Sequence, residues 1–272
     1  MNLALSGVNC LGAALLDAVF PPRCAGCGGW HKGLFCDDCA RSLKPVAPPF
    51  CERCGLPLPS DVETFDARLP INTRLTHTDR CPDCRHARQN GASQAIKLMR
   101  SVYIFEDAIR GAVHRLKYKE KTALAAPLAG LMNEYLQSQG AQSHIPLERI
   151  ELVVPVPLHA WRRYRRGYNQ SELLAHELVL LMKRENSTVL CANILRRVRH
   201  TTSQVELNER DRVENVRGAF EATGAPASFH KNGAVLLIDD VCTTGATLRE
   251  CARALEAAGV REIYALALAR QL

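Results

Sequence analysis

The chain has 272 residues, 47% hydrophobic and 23% charged, which is enough apolar material for a core and excludes a wholly disordered segment. Basic residues exceed acidic ones by 7, and 27 of the 35 are Arg, whose planar fork pairs well with phosphate. At about 100–200 residues per domain, the length fits one or two domains. The charge is uneven: residues 1–90 carry 10 basic against 9 acidic groups, and residues 91–272 carry 25 against 19. A phosphate-bearing ligand is therefore expected in the second part.

Residues 1–20 read as an apolar helix, with Asp17 their one charge and Pro21-Pro22 as a stop. The stretch lacks the basic leader of an export signal, and Ser6, Asn9 and Asp17 interrupt it as a membrane span. A helix packed on the rest of a cytoplasmic protein is the expectation. Residues 21–90 form the next unit, loop-like and without a sustained period of 2 or 3.6. Such a segment cannot fold on apolar burial alone. It holds eight of the twelve cysteines, all in C-x-x-C pairs: Cys24/Cys27, Cys36/Cys39, Cys51/Cys54 and Cys81/Cys84.

Two residues between cysteines let both sulfurs reach one ion, and four thiolates close a tetrahedral Zn2+ site. Eight sulfurs match two structural zinc ions. Sequential pairing of the four units needs loops of 8 and 26 residues, and crossed pairing satisfies the spacing as well. Redox pairs and an Fe–S cluster are the alternatives, and His31, His77 and His86 are read as polar surface. Residues 56–80 read as an exposed polar insertion between the third and fourth pairs.

From residue 91 short apolar runs alternate with amphipathic segments. Strands are predicted over 101–105, 151–157, 189–195, 234–239 and 262–269, and helices over 109–118, 127–140, 170–183, 205–215 and 247–258. Asn169 is placed to cap the third of these helices, and Gly259 to end the last. The 234–239 run lacks charge until its end and is rich in β-branched residues, as a strand buried on both faces requires. Strand, helix and strand in succession specify an α/β fold with a parallel sheet.

The richest motif is VLLIDDVCTTGAT, residues 235–247. It delivers Asp239 and Asp240 to the carboxyl end of a buried strand, where ligands of open α/β sheets bind. Thr243, Thr244, Gly245, Ala246 and Thr247 then turn into a helix, a small-residue backbone that an anion can approach at a helix N-terminus. Two acids beside a phosphate call for a ligand that also offers hydroxyls, as a 5-phosphoribosyl group does, with Mg2+ sharing the carboxylates. The bland alternative is a capped polar turn. Cys242 is read as filler, with a redox-sensing thiol as the other reading.

A basic loop follows the 151–157 strand: WRRYRRGYNQ, residues 161–170, sets Arg162, Arg163, Arg165 and Arg166 among Trp161, Tyr164 and Tyr168. Arg166, Gly167 and Asn169 suit a clamp on a leaving diphosphate. Arginines with interleaved aromatics equally suit single-stranded nucleic acid, and a solvated basic loop is the plain reading. Arg196, Arg197 and Arg199 with residues 201–204 make a second cationic stretch, read as a lid.

LLIDDVCTTGAT resembles the phosphoribosyl-diphosphate (PRPP) motif of type I phosphoribosyltransferases. FPPRCAGCG, LKYK, PVPLHAWRRYRRGYNQSELLA, RHTTSQVELNERDRVENVRGAF and LLIDDVCTTGATLRECARAL together resemble the ComF competence-protein family, including GntX-like members, from about residue 14 to the end. The resemblance implies a small zinc-ribbon domain before a type I phosphoribosyltransferase-like parallel sheet flanked by helices, at 21–90 and 91–272. It implies that residues 243–247 bind the 5-phosphate and that Asp239 and Asp240 bind the ribose hydroxyls, with Mg2+. By the same resemblance, Asp239, Asp240 and Arg166 would serve displacement of diphosphate at C1. The implied role is DNA uptake in natural transformation, with single-stranded DNA and a competence or helicase protein as partners. The alternative is a non-catalytic module binding a phosphoribosyl ligand or single-stranded DNA. No residue names the acceptor.

Overall fold

The computed structural model of the protein describes residues 22–59, 80–89, 95–118, 121–138, 145–184, 189–199, 216–224, 229 and 233–272. The predicted N-terminal helix, most of the 56–80 insertion, His77, the 205–215 helix and residues 201–204 of the lid lie outside them.

Five consecutive apolar residues up to Asp239 make Ala234–Cys242 (β6) the buried strand at the middle of a five-stranded sheet. The order is β1 (Ile96–Ile104), β7 (Glu262–Arg270), β6, β2 (Ile150–Pro155), β3 (Leu190–Cys191), and every pairing is parallel. Alternation along β6 feeds two cores. Leu236 and Ile238 join one with helices α3 (Asp107–Tyr118), α4 (Ala125–Gln137) and α6 (Gln170–Arg184). Val235 and Leu237 join the other with α7 (Ala246–Ala257) and a two-stranded antiparallel ribbon, β4 (Leu195–Arg197) with β5 (Phe220–Ala222).

Two expectations need correction. The 189–195 segment is not one strand: β3 ends at Cys191 in the main sheet, and β4 begins at Leu195 in the small one. The segment expected as a basic loop contains a helix, α5 (Ala160–Arg166). His159 caps it by accepting from the Trp161 amide, and Gly167 closes it at φ +80°, a left-handed conformation that suits glycine.

The cysteine-rich region contains two short helices, α1 (Asp37–Arg41) and α2 (Pro82–Gln89), each starting just after the first cysteine of a C-x-x-C pair. It covers the open edge of the main sheet. The Val46 amide donates to Val102 O at 2.9 Å, the Ile104 amide to Lys44 O at 2.8 Å and the Met99 amide to Arg53 O at 2.8 Å, so β1 does not present a bare ladder to solvent. Arg115 of α3 donates to Ala25 O at 2.8 Å and also to Gly26 O. Gly111 makes that approach possible, since a Cβ there would stand 2.1 Å from Gly26 O. The 56–80 stretch also begins inside the fold: Leu56 and Leu58 pack on cysteines, and the Leu58 amide donates to Pro49 O at 2.8 Å.

Candidate functional site

The eight paired cysteines gather as Cys24, Cys27, Cys36 and Cys39, and as Cys51, Cys54, Cys81 and Cys84, with the sulfurs of each set within 4.8 Å of one another. Pairing is sequential, which spacing alone left open. Cys27 and Cys36 Sγ lie 3.9 Å apart, and Cys54 and Cys81 Sγ 3.6 Å. A tetrahedron with Zn–S bonds of about 2.3 Å has S···S edges of roughly 3.8 Å, so both sets fit zinc. The Cys36 amide points at Cys24 Sγ at 3.3 Å and the Gly29 amide at Cys27 Sγ at 3.4 Å, the donors that stabilise bound thiolates. His31 and His86 belong to neither set.

At the carboxyl end of the sheet, β6, α3, the end of β2 and α5 enclose a cleft of about 880 Å3. The strand carries Asp239 and Asp240 to its floor, and Asp240 is 3% exposed. Asp239 Oδ1 accepts from Ser171 Oγ at 3.0 Å and from the Asp240 amide at 2.9 Å. Burial, and then the neighbouring Asp240 charge, push the Asp239 carboxyl up to about 7. Lys117 Nζ meets Asp240 Oδ2 at 2.9 Å.

Thr243, Gly245 and Thr247 line the cleft beside the acids, at the start of α7. Gly245 adopts φ +76°, and its Cα faces Met99, whose sulfur would stand 3.0 Å from any Cβ there. Thr244 accepts from the Ala246 amide through Oγ1 at 3.3 Å. Met99 thus touches the loop with its side chain and the cysteine-rich region with its amide. Cys242 is 2% exposed with Sγ 3.6 Å from Met99 Sδ, and burial raises its thiol above the usual range, so the redox-sensing reading fails and packing accounts for it.

The opposite wall comes from α5 and the turn after it. Arg162, Arg165 and Arg166 line the cleft with Trp161 and Tyr168. Arg166 stacks on Tyr118 at 4.9 Å and donates to Gln170 Oε1, while Arg165 stacks on Trp161 at 5.6 Å. Asn169 is 4% exposed and has both ends of its amide on backbone: Nδ2 donates to Val156 O at 3.0 Å, and Oδ1 accepts from the Ser171 amide at 3.1 Å. It ties the strand end to α6 and so aims Ser171 at Asp239. Gly167, Thr244 and Ala246 do not line the cleft. Arg197 lines it, and its β4 neighbour Arg196 pairs with Glu221 at 2.7 Å.

Lys117 and Ser171 are cleft residues that motif reading did not assign. Lys117 was visible within LKYK. Ser171 carried no signal, because its role depends on the first turn of α6 lying beside the end of β6.

The parallel sheet, the cleft at its carboxyl end and the two cysteine tetrads define a phosphoribosyltransferase-like α/β protein fronted by a double zinc ribbon. A family model described as a double zinc ribbon domain matches residues 15–85, and one described as a phosphoribosyl transferase domain matches residues 172–272. The chain belongs to the competence protein F (ComF) family: it is 30% identical to competence protein F of Haemophilus influenzae over 91% of this chain and 96% of that protein. It is 29% identical to the DNA utilization protein YhgH of Salmonella typhi, over 89% of this chain and 92% of that one. Competence protein ComFC of Streptococcus pneumoniae is 24% identical over 86% of this chain and 87% of its own length. Among solved structures, the allosteric regulatory enzyme of purine biosynthesis matches at a TM-score of 0.32 and 14% identity, covering 57% of this chain and 29% of that one. No helix among the described residues is long and apolar enough to cross a membrane.

Proposed function

We propose that the cleft binds PRPP with Mg2+ and that the protein transfers the phosphoribosyl group to an acceptor during DNA utilization or uptake. The supporting observation is the juxtaposition at the end of β6: an acidic pair and a small-residue turn at a helix start, facing three arginines across one cleft. In this reading the backbone of residues 243–247 receives the 5-phosphate, and Asp239 and Asp240 accept hydrogen bonds from the ribose hydroxyls. Arg166, with Gly167 shaping its turn and Asn169 anchoring it, faces the diphosphate. Mg2+ bound to the ligand's phosphates offsets their charge.

The C1–O bond to diphosphate breaks, a bond from C1 to the acceptor nucleophile forms, and the acceptor's proton is released. Arg166 stabilises the departing charge, and the carboxylates stabilise the positive charge that develops on the ribose. A carboxyl that takes up a proton near neutrality, as Asp239 does, is matched to accepting the acceptor's proton. The names of the relatives, a competence protein and a DNA utilization protein, support the role in DNA utilization, and uptake is what the family resemblance implies. A cytoplasmic location goes with that role.

A second reading has its own observation. Tyr164 and Trp161 on α5 are 89% and 56% exposed amid arginines, a surface suited to single-stranded DNA with or without turnover. A competence or helicase protein docking on the zinc ribbons fits either reading.

Calorimetry of the zinc-loaded protein with PRPP and Mg2+ tests the first. Binding that Asp239→Asn/Asp240→Asn loses supports it, and diphosphate release with an acceptor panel then separates turnover from binding. No binding by the folded native protein sinks the phosphoribosyl reading. Salt-dependent single-strand affinity lost in Trp161→Ala/Tyr164→Ala would favour the second.

A further inference from the structure

Consecutive carboxylates at a largely buried strand end repel each other, and burial adds to the cost of charging them. The fold answers each acid differently. Asp239 receives hydrogen bonds from Ser171 Oγ at 3.0 Å and the Asp240 amide at 2.9 Å. Asp240 receives an ammonium, Lys117 Nζ at 2.9 Å from Oδ2.

Lys117 is well placed for that contact. It stands in the last turn of α3, where the helix's carbonyl end favours a cation, and its side chain is 21% exposed, against 5% for that of Asp240. Tyr168 donates its hydroxyl to Leu116 O, which fixes this last turn to the segment between α5 and α6. The backbone bearing Lys117 is therefore braced, while its four-carbon stem leaves the ammonium movable.

Mg2+ demands near-octahedral oxygen ligands at about 2.0–2.1 Å. An ammonium in contact with Asp240 Oδ2 takes the place such an ion would fill, so the acidic pair as arranged does not fit a free divalent cation. The chain brings its own.

We propose that Lys117 is the resident counter-ion of the acidic pair and a positioning residue for the phosphoribosyl ligand. Its ion pair aims Asp240 into the cleft for a ribose hydroxyl and keeps free divalent cations off the pair, so that Mg2+ arrives on the ligand's diphosphate. The assignment rests on reading the cleft as a phosphoribosyl site. It goes beyond that reading in stating what occupies the carboxylates before the ligand comes and in what form the metal enters.

The probe is Mn2+ alone, titrated into the full-length zinc-loaded protein and followed by the paramagnetic resonance of the free ion, with zinc content and circular dichroism recorded for each variant. Native protein and Lys117→Arg should bind Mn2+ weakly, and Lys117→Gln should bind it roughly tenfold or more tightly, because a positive charge in contact with the site is gone. Adding Asp240→Asn to Lys117→Gln should return the affinity to the native level. A lysine with a merely structural role would not tighten metal binding when removed. Equal Mn2+ affinity in native and Lys117→Gln protein overturns the proposal, as does a gain that survives Asp240→Asn. Lys117→Met, similar in length and volume, serves if the Gln variant does not fold. Calorimetry of native protein with metal-free ribose 5-phosphate tests the phosphoribosyl reading separately. Its failure would remove the ligand and leave the counter-ion assignment to the Mn2+ result.

Discussion

The cysteine-rich region and the α/β region bury different things. Around β6 and β7 the sheet fills two apolar layers, and Val235, Leu236, Leu237 and Ile238 are fully buried in succession. Around Cys51, Cys54, Cys81 and Cys84 the buried side chains are the four cysteines themselves, with Leu56 and Leu58 packed on them. The first region can stand on the hydrophobic effect, whereas the second has too little apolar surface and depends on a metal to join its loops. The contrast continues where they meet: Gly26 lies against Gly111 and Gly55 against Met99, and the contact is held by backbone hydrogen bonds and by arginines that donate to carbonyls across it, Arg115 to Ala25 O and Arg270 to Cys54 O.

Removing zinc should break the comparison most visibly. Chelation, or Cys51→Ser with Cys54→Ser, should cost on the order of 10 kcal/mol of apparent metal-linked stability. Amide exchange should then rise over residues 44–58 and along the edge strand β1, while β6 and β7 stay protected; uniform exchange through the chain would show one cooperative unit instead. Leu236→Ala should do the reverse, costing about 2–5 kcal/mol in urea unfolding of the zinc-loaded protein without loss of zinc.

The acidic pair gives a pH test confined to the α/β region. The Asp239 carboxyl takes up its proton at about 7 in the fold and at 3.8 ordinarily, so the fold favours its protonated form. Its contribution is present below about pH 4 and lost as pH rises through 7. Asp239→Asn should therefore gain on the order of 4 kcal/mol relative to the native protein between pH 3 and pH 8, read from unfolding midpoints. An unchanged pH profile would place the proton elsewhere. The smallest effect belongs to the contact between the regions: Gly111→Ala should cost about 1–2 kcal/mol, with proteolysis near residues 22–35 increasing before the sheet is touched.

Much of this architecture was legible from local pattern. The 234–239 run, the Asn169 cap and the Gly259 stop signal reappear in β6, α6 and the end of α7, where Gly259 adopts φ +94°. What escaped was set by distant partners or by caps of unusual type. α5 was hidden because a histidine caps it, and the 189–195 segment divides between two sheets because β2 and β5 each offer it a few residues of pairing.

The sequence by itself determined the chemistry available: eight thiols in C-x-x-C pairs, an acidic pair ending an apolar strand, a threonine and glycine turn, and an arginine-rich segment. These are local, because metal knuckles and phosphate turns are built from neighbours in the chain. Tertiary structure decided which thiols share a site, that the cysteine-rich region covers the β1 edge, and that Lys117 and Ser171 from separate helices meet Asp240 and Asp239. Those facts depend on which elements pack side by side, and a 2.9 Å contact between residues 117 and 240 leaves no periodic trace in the chain.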